Sequence, residues 1–122
     1  MKIKRCMKCG ALVEVIKDCE CADCGICCCG QPMVTLLANS SDGAAEKHLP
    51  TYEVLGENIV VAVPHVMDAD HHIEWIAFET ENERIKKCFS PNMEAKAIFP
   101  YVKGAKIYSY CNKHGLWMAE VK

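Results

Sequence analysis

The chain has 122 residues, 51% of them hydrophobic, and 14 basic against 16 acidic side chains give a formal charge of −2. That size supports one modest domain with a small appendage, and the charge balance offers no basic stripe for nucleic acid or an anionic membrane. No apolar run is long enough to span a bilayer, and Met1 to Cys6 lacks the hydrophobic region and cleavage site of a signal peptide, so a cytoplasmic location is expected.

The outlying feature is ten cysteines, eight of them within the first 29 residues and the others at Cys88 and Cys111. In a reducing compartment such density favours metal thiolates over disulfides. Cys6-Met7-Lys8-Cys9-Gly10 is a C-x-x-C-G knuckle, a tight turn that aims two sulfurs at one point. Ala11 to Ile16 has strand character. The run from Cys19 to Cys29 then supplies more sulfurs, two of which would complete a tetrahedral site with the knuckle. A segment covering residues 1–36 is too small to hold a core, so a metal would provide much of its folding free energy.

The same run contains a second pattern. Cys21, Cys24 and Cys27 have the C-x2-C-x2-C spacing of bacterial ferredoxins, with Cys19 available as a fourth ligand. An additional iron–sulfur cluster is one expectation; reduced thiols or an incidental disulfide is the other. The C-x3-C-P continuation of the ferredoxin pattern is absent.

Met33 to Leu37 reads as a short apolar strand, and Ala38 to Ala44, small and polar, as a linker. Residues 37–122 form the second expected domain. Seven short β-rich runs follow: Thr51–Leu55, Ile59–Val63, Ile73–Thr80, Arg84–Phe89, Glu94–Phe99, Ala105–Tyr110 and Leu116–Val121. Turn residues separate them and no helical periodicity intervenes, so the prediction is all-β, with a seven-stranded immunoglobulin-like antiparallel sandwich after the cysteine-rich module.

All five histidines lie after residue 47: His48, His65, His71, His72 and His114. Each falls at a strand end or in a loop, where a sandwich can gather side chains on a rigid frame. His114 belongs to Cys111-Asn112-Lys113-His114-Gly115-Leu116-Trp117, which sets a thiolate and an imidazole three residues apart, a spacing that can grip one transition metal. Taken singly, each histidine could equally be an ordinary hydrogen-bonded residue. Adjacent strand residues point to opposite faces, so only one of His71 and His72 should reach a shared ion, and parity does not choose between them.

These motifs, in this order, resemble the desulfoferrodoxins, the two-iron superoxide reductases. Cys6-x-x-Cys9 with Cys28-Cys29-Gly30-x-Pro32-Met33 looks like their desulforedoxin-type module. Glu46-Lys47-His48-x-Pro50, Pro64-His65-x-Met67, His71-x-Ile73-Glu74-Trp75-Ile76 and the Cys111 motif look like their catalytic domain. The resemblance implies a rubredoxin-like iron, or zinc, on Cys6, Cys9, Cys28 and Cys29. It implies a catalytic iron with His48, His65, His71 and His114 in the equatorial plane and Cys111 axial, which selects His71 over His72.

By the same resemblance Lys47 is the catalytic lysine that attracts superoxide, and Glu46 the carboxylate of the oxidised resting state. Backbone N–H groups near Asn112 to His114 would hydrogen-bond the Cys111 sulfur. The implied activity is one-electron reduction of superoxide to hydrogen peroxide, supplied by a rubredoxin-like electron donor, in a homodimer. The competing expectation is an electron-transfer or metal-binding protein without superoxide turnover. Two departures stand out: His65-Val66-Met67 replaces His-Pro-Met, and the stretch between Cys9 and Cys28 is longer and richer in cysteine, which leaves Cys27 as a rival to Cys28 or Cys29.

Overall fold

A computed structural model describes residues 1–20 and 25–122. The chain is all-β and divides into two compact units, Met1–Leu37 and Ala38–Lys122.

In the first unit, β1 (Ile3–Arg5) is flanked by β2 (Leu12–Glu14) and β5 (Val34–Thr35) in a three-stranded antiparallel sheet. Among the described residues its buried side chains are Ile3, Cys6, Val15 and Met33. That is too little apolar burial for so short a segment to fold unaided. Between β1 and β2 the knuckle closes through the Gly10 N–H on the Cys6 carbonyl at 2.8 Å, with Gly10 at a φ of 82° that suits glycine. A second hairpin pairs β3 (Cys27–Cys28) with β4 (Gln31–Pro32). Its two turn residues, Cys29 and Gly30, both have positive φ, 53° and 75°, as a two-residue primed turn requires. The hairpin tip thus carries Cys28 and Cys29.

The second unit has two antiparallel sheets. One runs β10 (Lys96–Pro100), β7 (Asn58–Ala62), β6 (Thr51–Leu55); the other runs β12 (Gly115–Glu120), β11 (Lys106–Cys111), β8 (Ile73–Glu79), β9 (Arg84–Cys88). Alternation turns Ile59 and Val61 of β7, Ala97 and Phe99 of β10, Ile76 and Phe78 of β8, and Ile107 and Cys111 of β11 into one shared core. Phe78 stacks on Phe99 with ring centroids 5.1 Å apart, bridging the sheets.

The phase of β8 changes along its length. Ile76 and Phe78 face the core, yet so does Ile73, one residue out of step. A register shift between Tyr110 and Cys111 accounts for it: Tyr110 pairs with Trp75, but Cys111 pairs with Ile73. Such a bulge re-aims side chains at a strand end, and here it turns the Cys111 end of β11 and the histidine end of β8 toward the same point.

Two readings of the sequence need correction. A four-residue helical turn, α1 (Ala45–His48), sits where none was expected. It is too short to show a period, and Pro50 holds Leu49 extended so that it stops. The segment read as a linker is also anchored. Asn39 donates its side-chain amide to the Met118 carbonyl at 3.1 Å and accepts from the Met118 N–H at 2.9 Å, beside β12.

Candidate metal centres

His48 ends α1 and is buried; His65 follows β7; His71 precedes β8; Cys111 closes β11; and His114 ends the turn into β12. These five present one donor atom each, all within 4.8 Å of one another. His72, Glu46 and Lys47 are not in the group. Glu46 and Lys47 are exposed neighbours of His48 on α1.

The four imidazoles form a closed circuit. Ring centroids lie 4.7 Å apart for His48–His65, 4.6 Å for His65–His71, 5.2 Å for His71–His114 and 4.7 Å for His114–His48. Within it, His48 Nε2 stands 3.2 Å from His65 Nε2 and 3.0 Å from His114 Nδ1. Four nitrogens at about 2.1 Å from a central ion would be about 3.0 Å apart along each edge of a square. Cys111 Sγ approaches two of them, at 3.5 Å from His65 Nε2 and 3.8 Å from His114 Nδ1. Five donors converge.

Hydrogen bonds on the outer ring atoms fix which nitrogens face inward. His48 Nδ1–H donates to the Ala44 carbonyl at 2.7 Å, and His65 Nδ1–H to the Val66 carbonyl at 2.5 Å. Each then presents a bare Nε2 lone pair to the other, an arrangement that repels unless a cation lies between them. His71 Nε2 is buried with no hydrogen-bond partner, which is costly for a polar atom in the absence of a ligand. Burial lowers the pKa of both His65 and His71 below the ordinary imidazole value. That favours the neutral form, the one able to bind a metal.

The surrounding packing holds the ligands still. Trp117 stacks on His48 at 5.1 Å, and its indole N–H donates to the His114 carbonyl at 3.2 Å. The buried Ser109 hydroxyl donates to the His48 carbonyl at 2.8 Å. Neither role was drawn from the sequence, although Trp117 lies within the Cys111 motif. Of the backbone N–H groups expected near the Cys111 sulfur, that of Asn112 is directed instead to the His72 carbonyl at 3.3 Å.

The second group is Cys6, Cys9, Cys28 and Cys29. Cys9 Sγ lies 3.7 Å from Cys28 Sγ, and Cys28 Sγ lies 3.9 Å from Cys29 Sγ. Sulfurs at roughly 2.3 Å from a tetrahedral ion stand roughly 3.8 Å apart, far beyond the roughly 2.05 Å of a disulfide. The Cys9 N–H pointing at its sulfur draws the Cys6 pKa down to about 6, whereas the adjoining Cys9 sulfur pushes Cys28 up to about 12 and raises Cys29 too. Only a cation relieves such crowding of all four as thiolates. Cys27 stays outside, exposed, its sulfur directed at the Gly25 carbonyl. Of the cluster candidates, Cys19 is disulfide-bonded, and Cys21 and Cys24 lie outside the described residues.

An all-β chain that gathers four imidazoles and a thiolate in one unit and four thiolates in another belongs to the class of non-haem metalloproteins. The desulfoferrodoxin family model matches residues 40–120. The chain is 36% identical over 124 residues to the desulfoferrodoxin of Syntrophotalea carbinolica, covering 98% of this chain and 96% of that one. It is 37% identical over 112 residues to the superoxide reductase of Thermococcus kodakarensis, covering 73% of this chain and 97% of that one. In fold it is similar to the crystal structure of the superoxide reductase from Treponema pallidum, with a TM-score of 0.71, 22% identity, and 97% and 98% of the two chains covered. The chain belongs to the desulfoferrodoxin family.

Proposed function

We propose that this protein is a superoxide reductase, converting superoxide to hydrogen peroxide with one electron and two protons. The observation that carries the proposal is the five-donor group of His48, His65, His71, His114 and Cys111. These four imidazole nitrogens and one thiolate sulfur would together hold a transition-metal ion. When bound there, iron supplies a one-electron couple and a place for a small anion.

The chain's residues do the rest. Four neutral imidazoles leave the positive charge on the ion largely intact, and the Cys111 thiolate donates electron density to it. Lys47 is exposed one residue before His48. Its ammonium draws the superoxide anion inward and relays protons from water. Glu46, on the same turn, would supply a carboxylate to the site of the oxidised protein. Both assignments rest on family resemblance and on the placement of α1.

The Cys6, Cys9, Cys28 and Cys29 group holds a second ion, iron or zinc, in a desulforedoxin-like module spanning the first unit. Loaded with iron, these four sulfurs would supply a one-electron couple for a rubredoxin-like donor. The three- plus four-stranded second unit suits the immunoglobulin-like description of the catalytic domain. Exposed Met7, Ile16 and Leu37 of the first unit support a homodimer.

The test is metal content with a visible spectrum, on protein loaded with iron without oxygen and then mildly oxidised. Roughly two irons per chain, or one iron beside one zinc, are expected, with a thiolate-to-iron(III) band appearing on oxidation. A spectrum indifferent to oxidation would sink the catalytic reading and leave a structural metal protein.

A further inference from the structure

Asn112 lies between the thiolate Cys111 and the imidazole His114 in sequence, and it touches the loop that carries His71. Its side-chain amide donates to the Asp70 carbonyl at 2.9 Å, and its side-chain oxygen accepts from the His72 N–H at 3.0 Å. Its own N–H donates to the His72 carbonyl at 3.3 Å. Three hydrogen bonds from one residue therefore bracket His71 on both sides.

The bracketed loop is itself closed. Asp68 and His71 exchange backbone hydrogen bonds, at 3.0 Å from the Asp68 N–H and 3.3 Å from the His71 N–H. It can therefore move as one piece, and His71 Nε2, buried and unpartnered, moves with it. The nearest regular pairing between the two chain segments is Cys111 with Ile73, beyond the bulge. Past that point the regular ladder ends, and Asn112 continues the connection with its backbone N–H and its side chain. The exposed contact of Lys113 with Asp70 at 4.0 Å is too long and too solvated to fix anything.

We infer that Asn112 is a positioning residue: it sets where the imidazole of His71 stands relative to the Cys111 sulfur. It touches neither metal nor substrate. Its leverage comes from sharing a backbone with the sulfur on one side and bracketing the imidazole on the other. Hydrogen bonds that orient metal ligands are worth about 10- to 100-fold in metal affinity. The inference rests on the five-donor site proposed above.

Cobalt(II) is a suitable probe because its visible bands report both thiolate ligation and coordination geometry without turnover. The full-length protein, Asn112→Ala, Asn112→Asp and Asn39→Ala would be titrated with cobalt(II), and their spectra and melting temperatures compared. Asn39→Ala removes a comparable side-chain clamp on the Met118 backbone and controls for mere loss of hydrogen bonds. Asn112→Ala is expected to weaken cobalt binding at the His/Cys site by about 10-fold or more and to shift the thiolate-to-cobalt band. Asn112→Asp, which keeps the acceptor for His72 but not the donor for Asp70, should fall between, and Asn39→Ala should match the parent in both readouts.

An Asn112→Ala protein with the parent's cobalt affinity and spectrum would overturn the inference, whatever its melting temperature. If that variant does not fold, the same comparison on Asn112→Asp decides. A parent protein without any His/Cys-site cobalt band would instead remove the site reading, and this inference with it.

Discussion

Lys47 and Glu46 stand one and two residues before His48 on α1. Lys47 is exposed, so its contribution is steering and not tight binding. Lys47→Ala should slow the reaction with superoxide about 10-fold at low ionic strength, with the deficit shrinking as salt screens the parent. Stopped-flow rates at two salt concentrations check this; equal rates for both proteins would remove Lys47 from the reaction. At this scale the sequence was informative about which residue types matter and blind to one choice. His71 and His72 are neighbours; only one of them joins the donor group, as alternation requires, but parity does not say which, and the Tyr110/Cys111 register shift changes the phase of β8. No composition or spacing signal announces a bulge. Family resemblance chose His71, and the structure places it in the donor group and His72 outside.

The strands of the second unit were largely readable. Thr51–Leu55 was placed to the residue, and the other six within a residue or two at most ends, because alternating apolar side chains must cover a core. The two-residue strands of the first unit carry no such period, and β3 and β4 were missed. Their pairing depends on a turn, and the whole hairpin tip is held for its sulfurs. Cys9→Ser should therefore release the metal from the first unit and unfold it while leaving the second unit's metal in place. Hydrogen exchange of both units would show this, and protection retained in the first unit would contradict it. In the second unit the cost of losing a core side chain is different in kind. Phe78 is fully buried and stacked on Phe99 across the sheets, so Phe78→Ala should destabilise the fold by about 3–5 kcal/mol in denaturant titration. A loss below about 1 kcal/mol would mean the core collapses around the gap.

For the whole molecule, the two donor groups make stability depend on pH and metal together. Burial lowers the pKa of His65 and His71 in the folded protein, so between those values and about 6.5 the unfolded chain binds more protons. The contribution is complete above about 6.5 and is lost as pH falls toward the folded values. The melting temperature of the metal-free protein should drop between about pH 7.5 and about pH 5. A flat profile would mean that these imidazoles are not held neutral. The central claim, that the His/Cys group reduces superoxide, is tested most directly by product stoichiometry. Prereduced protein with bound iron would be mixed with superoxide, and peroxide and oxygen measured together, beside Cys111→Ser. The account predicts roughly one peroxide per superoxide consumed, no oxygen beyond the spontaneous reaction, and loss of this behaviour in Cys111→Ser. Oxygen released with roughly half a peroxide per superoxide would show dismutation and contradict it.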